Sequence, residues 1–290
     1  MEIFITGHSG FVGKNFIQTT LNKYNFNLYN DSLEINSDVV LHLAGKAHDL
    51  KKISDIKEYY NTNTELTKSV YNAFLTSKAK VFITLSSVKA VADEIDFELT
   101  EETIPNPKTH YGISKLLAEQ YILSKDIPDG KRVFILRPCM IHGPENKGNL
   151  NLLFKTIKIG FPWPLGAFAN QRSFCSIDNL CFVLRELIEN ETISSGIYNI
   201  ADDEPLSTNQ LIGLISLSLG IKTRIWYIPK TLIKFIAIIG DFLRLPLNTE
   251  RLNKLTENYL VSNNKIKLAI SKPLPLTSKD GFNKTFIYFK

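Results

Sequence analysis

Cysteine is scarce: Cys139, Cys175 and Cys181 are the only three among 290 residues. They show no metal-ligand spacing, and an odd count fits a reducing compartment better than a disulfide-stapled secreted fold, so a cytoplasmic location is expected. An excess of one charge is equally lacking. Against 29 Asp and Glu stand 34 Lys and Arg, and the resulting +5 is scattered. That describes a solvated mixed surface and excludes the basic stripe of a nucleic-acid-binding protein. The chain opens on the strand-like MEIFITG, with no basic segment followed by an apolar one, so no signal peptide is expected. Internal repeats, low-complexity tracts and flexible linkers are also missing. Long apolar runs are represented only by PKTLIKFIAIIGDFLRLP, residues 229–246. Its polar side chains Lys230, Lys234, Asp241 and Arg244 fall on one helical stripe, and charges cut it short of the ~20 apolar residues of a spanning helix. No transmembrane segment is expected. The segment reads as a buried helix or an oligomer contact, with peripheral membrane contact as the less favoured alternative.

What is present is an ordinary globular composition, 44% hydrophobic and 22% charged, with length for one large domain or two closely joined ones. In the first half, short apolar runs alternate with helical patterns: EIFIT, then FVGKNFIQTTLNKY; FNLY; DVVLHLA, then EYYNTNTELTKSVYNAFLTS; KVFITLSS, then the helix of HYGISKLLAE; and RVFILRP. Such alternation predicts an α/β fold, a doubly wound parallel sheet with crossover helices. After Ile141 the texture changes. HGPENKGN and GFPWPLGAFANQ are rich in Gly, Pro and Asn and read as loops over a site. IYNIA reads as one more sheet strand, and from Ser207 onward the chain is mainly helical. The expected division is a dinucleotide-binding domain, 1–142 plus 174–200, and a smaller substrate domain, 143–173 plus 201–290.

The dinucleotide assignment rests on TGHSGFVG, which follows the first strand and opens the first helix. Gly7, Gly10 and Gly13 are spaced three apart. Glycine permits the tight turn and lets backbone amides approach a pyrophosphate at a helix N-terminus, with Phe11 and Val12 in the same turn. Asp31 lies 18 residues past Gly13, near the end of the second strand, where a carboxylate favours a free ribose 2′-hydroxyl and hence NAD over NADP. The same residue also suits a plain turn. Only about nine residues separate FNLY from DVVLHLA, too few for a full crossover, so the third strand of the fold is expected to be vestigial and the adenine side thinly covered.

Seven motifs in order, TGHSGFVG, LHLAGKAH, NTNTELT, LSSVKA, YGISK, RPCMIHGP and NQRSFCSIDNL, resemble the extended short-chain dehydrogenase/reductases of the nucleotide-sugar epimerase/dehydratase type over nearly the whole chain. SSVKA, GPENKGNL and PWPLGAFANQRS are similar to bacterial enzymes acting at C4 of UDP-N-acetylhexosamines in surface-polysaccharide synthesis. The resemblance implies a Rossmann-like sheet, a UDP-sugar substrate and a homodimer through the long helices, including the one bearing Tyr111. It implies that Leu43, Ala44 and Gly45 pass under the riboses and that Asn63 supports the active-site strand. Ser87, in preference to Ser86, forms a catalytic triad with Tyr111 and Lys115, which also contact the cofactor. Pro138 lies against the nicotinamide. Asn149 and Arg172 hold the substrate's nucleotide, with Lys89 and Ser87 toward the sugar. For Arg172 a structural salt bridge, and for Lys89 plain solvation, remain open.

Tyr111 and Lys115 are four apart and so share a helix face. A free phenol titrates near ~10; a neighbouring ammonium and an oxidised nicotinamide favour the phenolate and bring it toward the working range. Ser87 closes a strand 24 positions earlier and would hydrogen-bond the oxygen at C4. Two outcomes fit: a 4-keto reductase, which delivers hydride once and exchanges its cofactor, or a 4-epimerase, which retains it. The thin adenine side leans toward reduction of a UDP-4-keto-6-deoxy-N-acetylhexosamine. A 4,6-dehydratase fits less well, because Asp93 and Glu94 come several residues after the serine. A non-catalytic regulator would more often lose the Tyr–Lys pair. His42, His48, His110 and His142 have no partners at metal spacing, so no metal is assigned.

Overall fold

A computed structural model describes residues 1–46, 55–146, 149–243 and 248–290. The first half runs β1 (Glu2–Thr6), α1 (Phe11–Thr20), β2 (Asn25–Leu28), β3 (Val39–His42) and α2 (Ile56–Tyr59). A π-helical turn, Tyr60–Glu65, joins α2 to α3 (Leu66–Thr76). Then come β4 (Val81–Leu85), a 3-10 turn at Val88–Ala90, β5 (Glu98–Leu99), α4 (His110–Leu123), β6 (Arg132–Pro138) and β7 (Met140–His142). The remainder comprises α5 (Asn149–Lys158), β8 (Phe174–Ser176), α6 (Ile177–Glu189), β9 (Gly196–Ile200), α7 (Thr208–Leu219) and α8 (Lys230–Leu243). It closes with α9 (Thr249–Thr256), β10 (Leu260–Val261), α10 (Asn264–Ile270) and α11 (Ser278–Phe289).

Six parallel strands form one sheet in the order β2-β1-β3-β4-β6-β9, the expected doubly wound α/β architecture. Its central strands are apolar on both sides, and strict alternation sorts the side chains between two layers. Ile3, Ile5, Val39, Leu41, Val81, Ile83, Phe134 and Leu136 enter the core under α1 and α6. Phe4, Val40, Phe82, Val133 and Ile135 enter the other, with Tyr71 and Phe74 of α3. A phenylalanine such as Phe82, wholly buried, contributes roughly 1.5–3 kcal/mol by leaving water.

The link from β2 to β3, residues 29–38, contains no helix and crosses from one side of β1 to the other. Among the described residues nothing extends the sheet beyond β2, as the short spacing predicted. The loss leaves β2 as an exposed edge strand, with Phe26 alone partly buried.

A second apolar cluster lies on the C-terminal side. Leu150, Phe154, Trp163 and Leu165 pack there with Leu211, Ile215, Phe282 and Phe286. The short pairs β7–β8 and β5–β10, both parallel, tie this side to the sheet. Tyr259, Val261, Ile266 and Ile270 pack back into the sheet's own core.

The 229–246 segment departs from expectation. Helix α8 forms over Lys230–Leu243, but only Ile233, Ala237 and Gly240 are buried. The buried-helix reading is therefore corrected: its apolar arc is too wide for the narrow strip of neighbours it meets. Arg244 lies outside the described residues. No helix among those described is long and apolar enough to cross a membrane.

Candidate active site

Strand order reverses between β1 and β3, and the carboxyl ends of the strands at such a switch point form the usual ligand crevice of a doubly wound sheet. Gly7 leaves β1 with φ +70°, a left-handed turn, and a side chain on it would lie 2.5 Å from the Ala44 nitrogen. Gly13 lets α1 sink onto the turn, since a Cβ there would come 2.4 Å from the Gly7 carbonyl oxygen. Gly10 caps α1 without any side-chain hydrogen bond, and no acidic residue occupies the first turn. The first-turn amides, including Phe11, Val12 and Gly13, thus have no acceptor within the helix and face the crevice end with the positive pole of its dipole. A pyrophosphate fits this cradle, which has room for backbone and none for side chains. Asp31, exposed and in a left-handed turn of φ 70°, lies three residues beyond β2, a position compatible with either expectation for it.

Leu43, Ala44 and Gly45 continue β3 into the crevice. The Ala44 amide donates to Thr6 Oγ1 at 3.1 Å, Thr6 Oγ1 contacts His42 Nδ1 at 2.7 Å, and His42 Nε2 contacts Thr67 Oγ1 at 2.9 Å. Thr67 in turn donates to the Asn63 carbonyl at 2.8 Å. Each hydroxyl gives one proton and receives one, which makes His42 neutral with its proton on Nε2. Complete burial, reinforced by the Lys115 charge, holds its pKa at about 3. His42 is structural, as is His142, buried against Phe282 and Thr285. His110 meets the Tyr60 hydroxyl at 3.1 Å, and His48 lies outside the described residues. Among the described residues no three His, Cys, Asp or Glu gather to hold a metal.

Asn63 sits in the π-turn, fully buried, and clamps the β3 loop: its Oδ1 accepts from the Lys46 amide at 2.8 Å and its Nδ2 donates to the Lys46 carbonyl at 3.1 Å. Nδ2 also reaches Ser114 Oγ at 3.0 Å, which links the loop to α4. A π-turn inserts a residue into the helical register and often marks a functional site. Nothing in the period of EYYNTNTELT announced it.

Helix α4 begins at Thr109, whose hydroxyl accepts from the Gly112 amide at 3.2 Å and donates to Asp93 at 2.8 Å. Asp93 is thereby a structural anchor between the serine loop and α4. Gly112, overlooked in the sequence, lets the helix touch that loop: a Cβ would lie 2.4 Å from the Lys89 carbonyl oxygen. The approach brings the Ser87 hydroxyl beside the Tyr111 phenol, where it acts to lower the phenol's pKa. Ser86 is elsewhere engaged, hydrogen-bonding Glu119 in a buried network.

Lys115, one turn further, is 7% exposed; its ammonium donates to the Leu85 carbonyl at 2.8 Å and lies beside Gly45. Burial lowers its pKa to about 8, opposed by Glu119. For Tyr111 without the dinucleotide, burial raises the pKa, outweighing the Ser87 hydroxyl, which acts the other way. Beneath the pair, Glu119 accepts Nε and Nη2 of Arg137 at 3.0 and 2.5 Å, both side chains almost inaccessible. Pro138, buried, ends β6 at the same edge of the sheet.

On the far side of the serine, Lys89 is half-buried, with its Nζ 4.1 Å from the Tyr259 ring centroid and bonded to the Asp93 carbonyl, so it is not simply solvated. Burial lowers its pKa. Arg172 stands close enough for Lys89 to feel its charge; it donates to the Lys254 carbonyl at 2.9 Å and pairs with Glu257 at 3.5 Å. Burial raises the Glu257 pKa. Asn149 opens α5, and its side chain lies outside those described. A separate cavity of about 380 Å³ opens between α1, α6 and α11, and no predicted site residue lines it.

Residues 25–201 match the model of the NAD dependent epimerase/dehydratase family. The chain belongs to the NAD dependent epimerase/dehydratase family. Within it, the chain is 26% identical to a UDP-glucose 4-epimerase of Vibrio cholerae over 98% of this chain and 94% of that protein. It is also 26% identical to the N-acetyl-alpha-D-glucosaminyl-diphospho-ditrans,octacis-undecaprenol 4-epimerase of Escherichia coli O157:H7, covering 92% and 84%. A GDP-6-deoxy-D-mannose reductase of Pseudomonas aeruginosa is 28% identical over 74% of this chain and 79% of its own. The fold matches that of a UDP-glucuronic acid 4-epimerase from Bacillus cereus in complex with NAD, with a TM-score of 0.77 at 18% identity over 100% and 98% of the chains. Family membership makes this chain an enzyme of nicotinamide-dependent oxidoreduction or epimerisation, and its glycine cradle fits the dinucleotide.

Proposed function

We propose that this enzyme reduces C4 of a UDP-4-keto-6-deoxy-N-acetylhexosamine with NADH or NADPH, in the synthesis of a surface-polysaccharide precursor. The observation that carries the chemistry is the Ser87 hydroxyl beside the Tyr111 phenol, one helical turn from the buried Lys115 ammonium. Two hydroxyls so placed can both turn to one sugar oxygen. Ser87 steadies the C4 oxygen, and Tyr111 gives it a proton as the carbonyl carbon gains hydride and becomes a carbinol. When bound, the dinucleotide supplies that hydride. Lys115, titrating at about 8, is still charged at neutral pH and favours the phenolate that remains.

We assign the dinucleotide to the unit 1–142 plus 174–200, with Asp31 favouring NAD, and the sugar diphosphate to 143–173 plus 201–290. Arg172 supplies a cation for the diphosphate, with Lys89 beside it toward the sugar; Arg172 would exchange the poorly placed Glu257 carboxylate for phosphate oxygens. Asn149 joins them in this reading. A homodimer through the long helices, α4 among them, and a cytoplasmic location belong to the same proposal.

Reduction rather than epimerisation is favoured by the sheet ending at β2, which leaves less protein to retain a spent cofactor. A 4-epimerase is the second reading, favoured by the two relatives of that name that match over nine-tenths of this chain. Purified enzyme given the keto sugar should consume NADH or NADPH, and Tyr111→Phe should stop that consumption while still binding cofactor. Interconversion of the C4 isomers of UDP-N-acetylglucosamine without added cofactor would replace reduction by epimerisation. Turnover unchanged in Tyr111→Phe would end both readings.

A further inference from the structure

Helix α8 presents three faces. Ile233, Ala237 and Gly240 form the strip against the body of the protein. Lys230, Lys234 and Asp241 form a polar flank beside it, at 100° per residue. The widest face is apolar and looks away from the body: Leu232, Phe235, Ile238, Ile239 and Phe242 are 49, 60, 50, 37 and 83% exposed. Immediately before the helix, Trp226 and Tyr227 are 56% and 71% exposed. Side chains of this size, clustered and open, demand a partner surface.

We propose that α8, with the loop leading into it, docks on the surface of an anionic lipid bilayer. Charge decides for this occupant. Residues 221–240 contain Lys222, Arg224, Lys230 and Lys234 and no Asp or Glu. Asp241, next in line, is engaged by the amide and hydroxyl of Thr249. A second copy apposed on this face would bring four cations of each chain together with Asp241, already held by Thr249, as the one acid on the helix's polar flank to meet them. Phospholipid head groups supply the missing negative charge, and the acyl boundary takes the aliphatic and phenyl groups. Trp and Tyr at the entrance suit the interfacial zone, where a ring is half dry and its polar tip wet. At 14 residues the helix is about 21 Å long, so it lies along the surface without spanning it.

The surface is coupled to the substrate side of the cleft. Asp241 joins α8 to the start of α9, and the Lys254 carbonyl near the end of α9 holds Arg172. Docking would set the cleft one short helix from the lipid head groups. The proposal stands on the exposed face and its charges, and it holds whichever reaction the site performs.

The test is co-sedimentation of the full chain with vesicles of phosphatidylcholine, alone or with about 30% phosphatidylglycerol, at two salt concentrations. The wild type should partition into the anionic vesicles about ten-fold better than into neutral ones, less so at high salt. Phe235→Glu with Phe242→Glu should lose about ten-fold of that binding while keeping its melting temperature and cofactor binding. Lys230→Gln with Lys234→Gln should bind several-fold more weakly and lose about half of the salt dependence, since Lys222 and Arg224 remain. Three results would overturn the proposal: a wild type that stays in the supernatant, a phenylalanine variant that sediments unchanged, or a lipid-free dimer that this variant converts to monomer in light scattering. The last would give the face to a second copy. None of these outcomes bears on turnover of a soluble UDP-sugar, so failure here leaves the catalytic reading intact.

Discussion

Replacing Lys115 by methionine should make the cofactor-free protein more stable while destroying its activity. Burial holds the Lys115 pKa at about 8 against an ordinary 10.5. A displacement of that size corresponds to about 3 kcal/mol, which folding loses by keeping the ammonium charged below pH 8. Between pH 8 and 10.5 the unfolded chain holds a proton that the folded chain has released, so this cost fades as pH rises through that window. Methionine has similar length and no charge, and removes the cost. It also strands the Leu85 carbonyl, now hydrogen-bonded to Lys115 at 2.8 Å, at a loss of about 1–2 kcal/mol. The net expectation is a gain of about 1 kcal/mol at pH 7, or about 2–3 °C in melting temperature. By pH 10 the gain should vanish or reverse. Differential scanning calorimetry of both proteins at pH 7 and 10, without cofactor, reads this directly. A variant less stable than wild type at pH 7, by a margin that stays constant to pH 10, would refute the argument that burial of this charge opposes folding.

Three further outcomes follow from the geometry. Gly112→Ala puts a methyl group 2.4 Å from the Lys89 carbonyl and should cost about 1–3 kcal/mol in urea unfolding, with a fall in kcat as Tyr111 leaves Ser87. Glu119→Gln leaves the Arg137 guanidinium buried without its counter-charge, a loss of about 3–5 kcal/mol. Because Glu119 also raises the Lys115 pKa, the basic limb of the pH–rate profile should move to lower pH. For His42, a folded pKa of about 3 against 6.5 means that the unfolded chain takes up a proton first, and stability falls as pH drops below 6.5. Wild type should lose about 2 kcal/mol more than His42→Gln between pH 7 and 5, measured by denaturant midpoints.

Much of the site could be read before any coordinates, because its chemistry is tied to local pattern. The alternation that sends Ile3 and Ile5 to one layer and Phe4 to the other is a period of two, visible in EIFIT. Gly7 and Gly13 mark places where a side chain has no room, and such positions announce themselves. Tyr111 and Lys115 share a face through helical spacing alone. The short link after β2 foretold where the sheet would stop.

Other features depend on which elements meet, and local pattern does not carry that. Glu119 and Arg137 are 18 residues apart and look like ordinary surface charges until α4 lies across β6. Lys89 and Arg172 share a neighbourhood only because the C-terminal side folds back over the serine loop. The π-turn that seats Asn63 leaves no periodic trace over six residues.

For this protein the sequence by itself determined the strands, the glycine turn and the Tyr–Lys face, since each follows from sterics or periodicity within a few residues. Only the tertiary structure decided that α8 turns most of its apolar arc outward, that burial raises the Tyr111 pKa, and that Arg172 starts from an ion pair. Exposure and electrostatic environment are set by neighbours distant in the chain, and no short stretch of residues contains them.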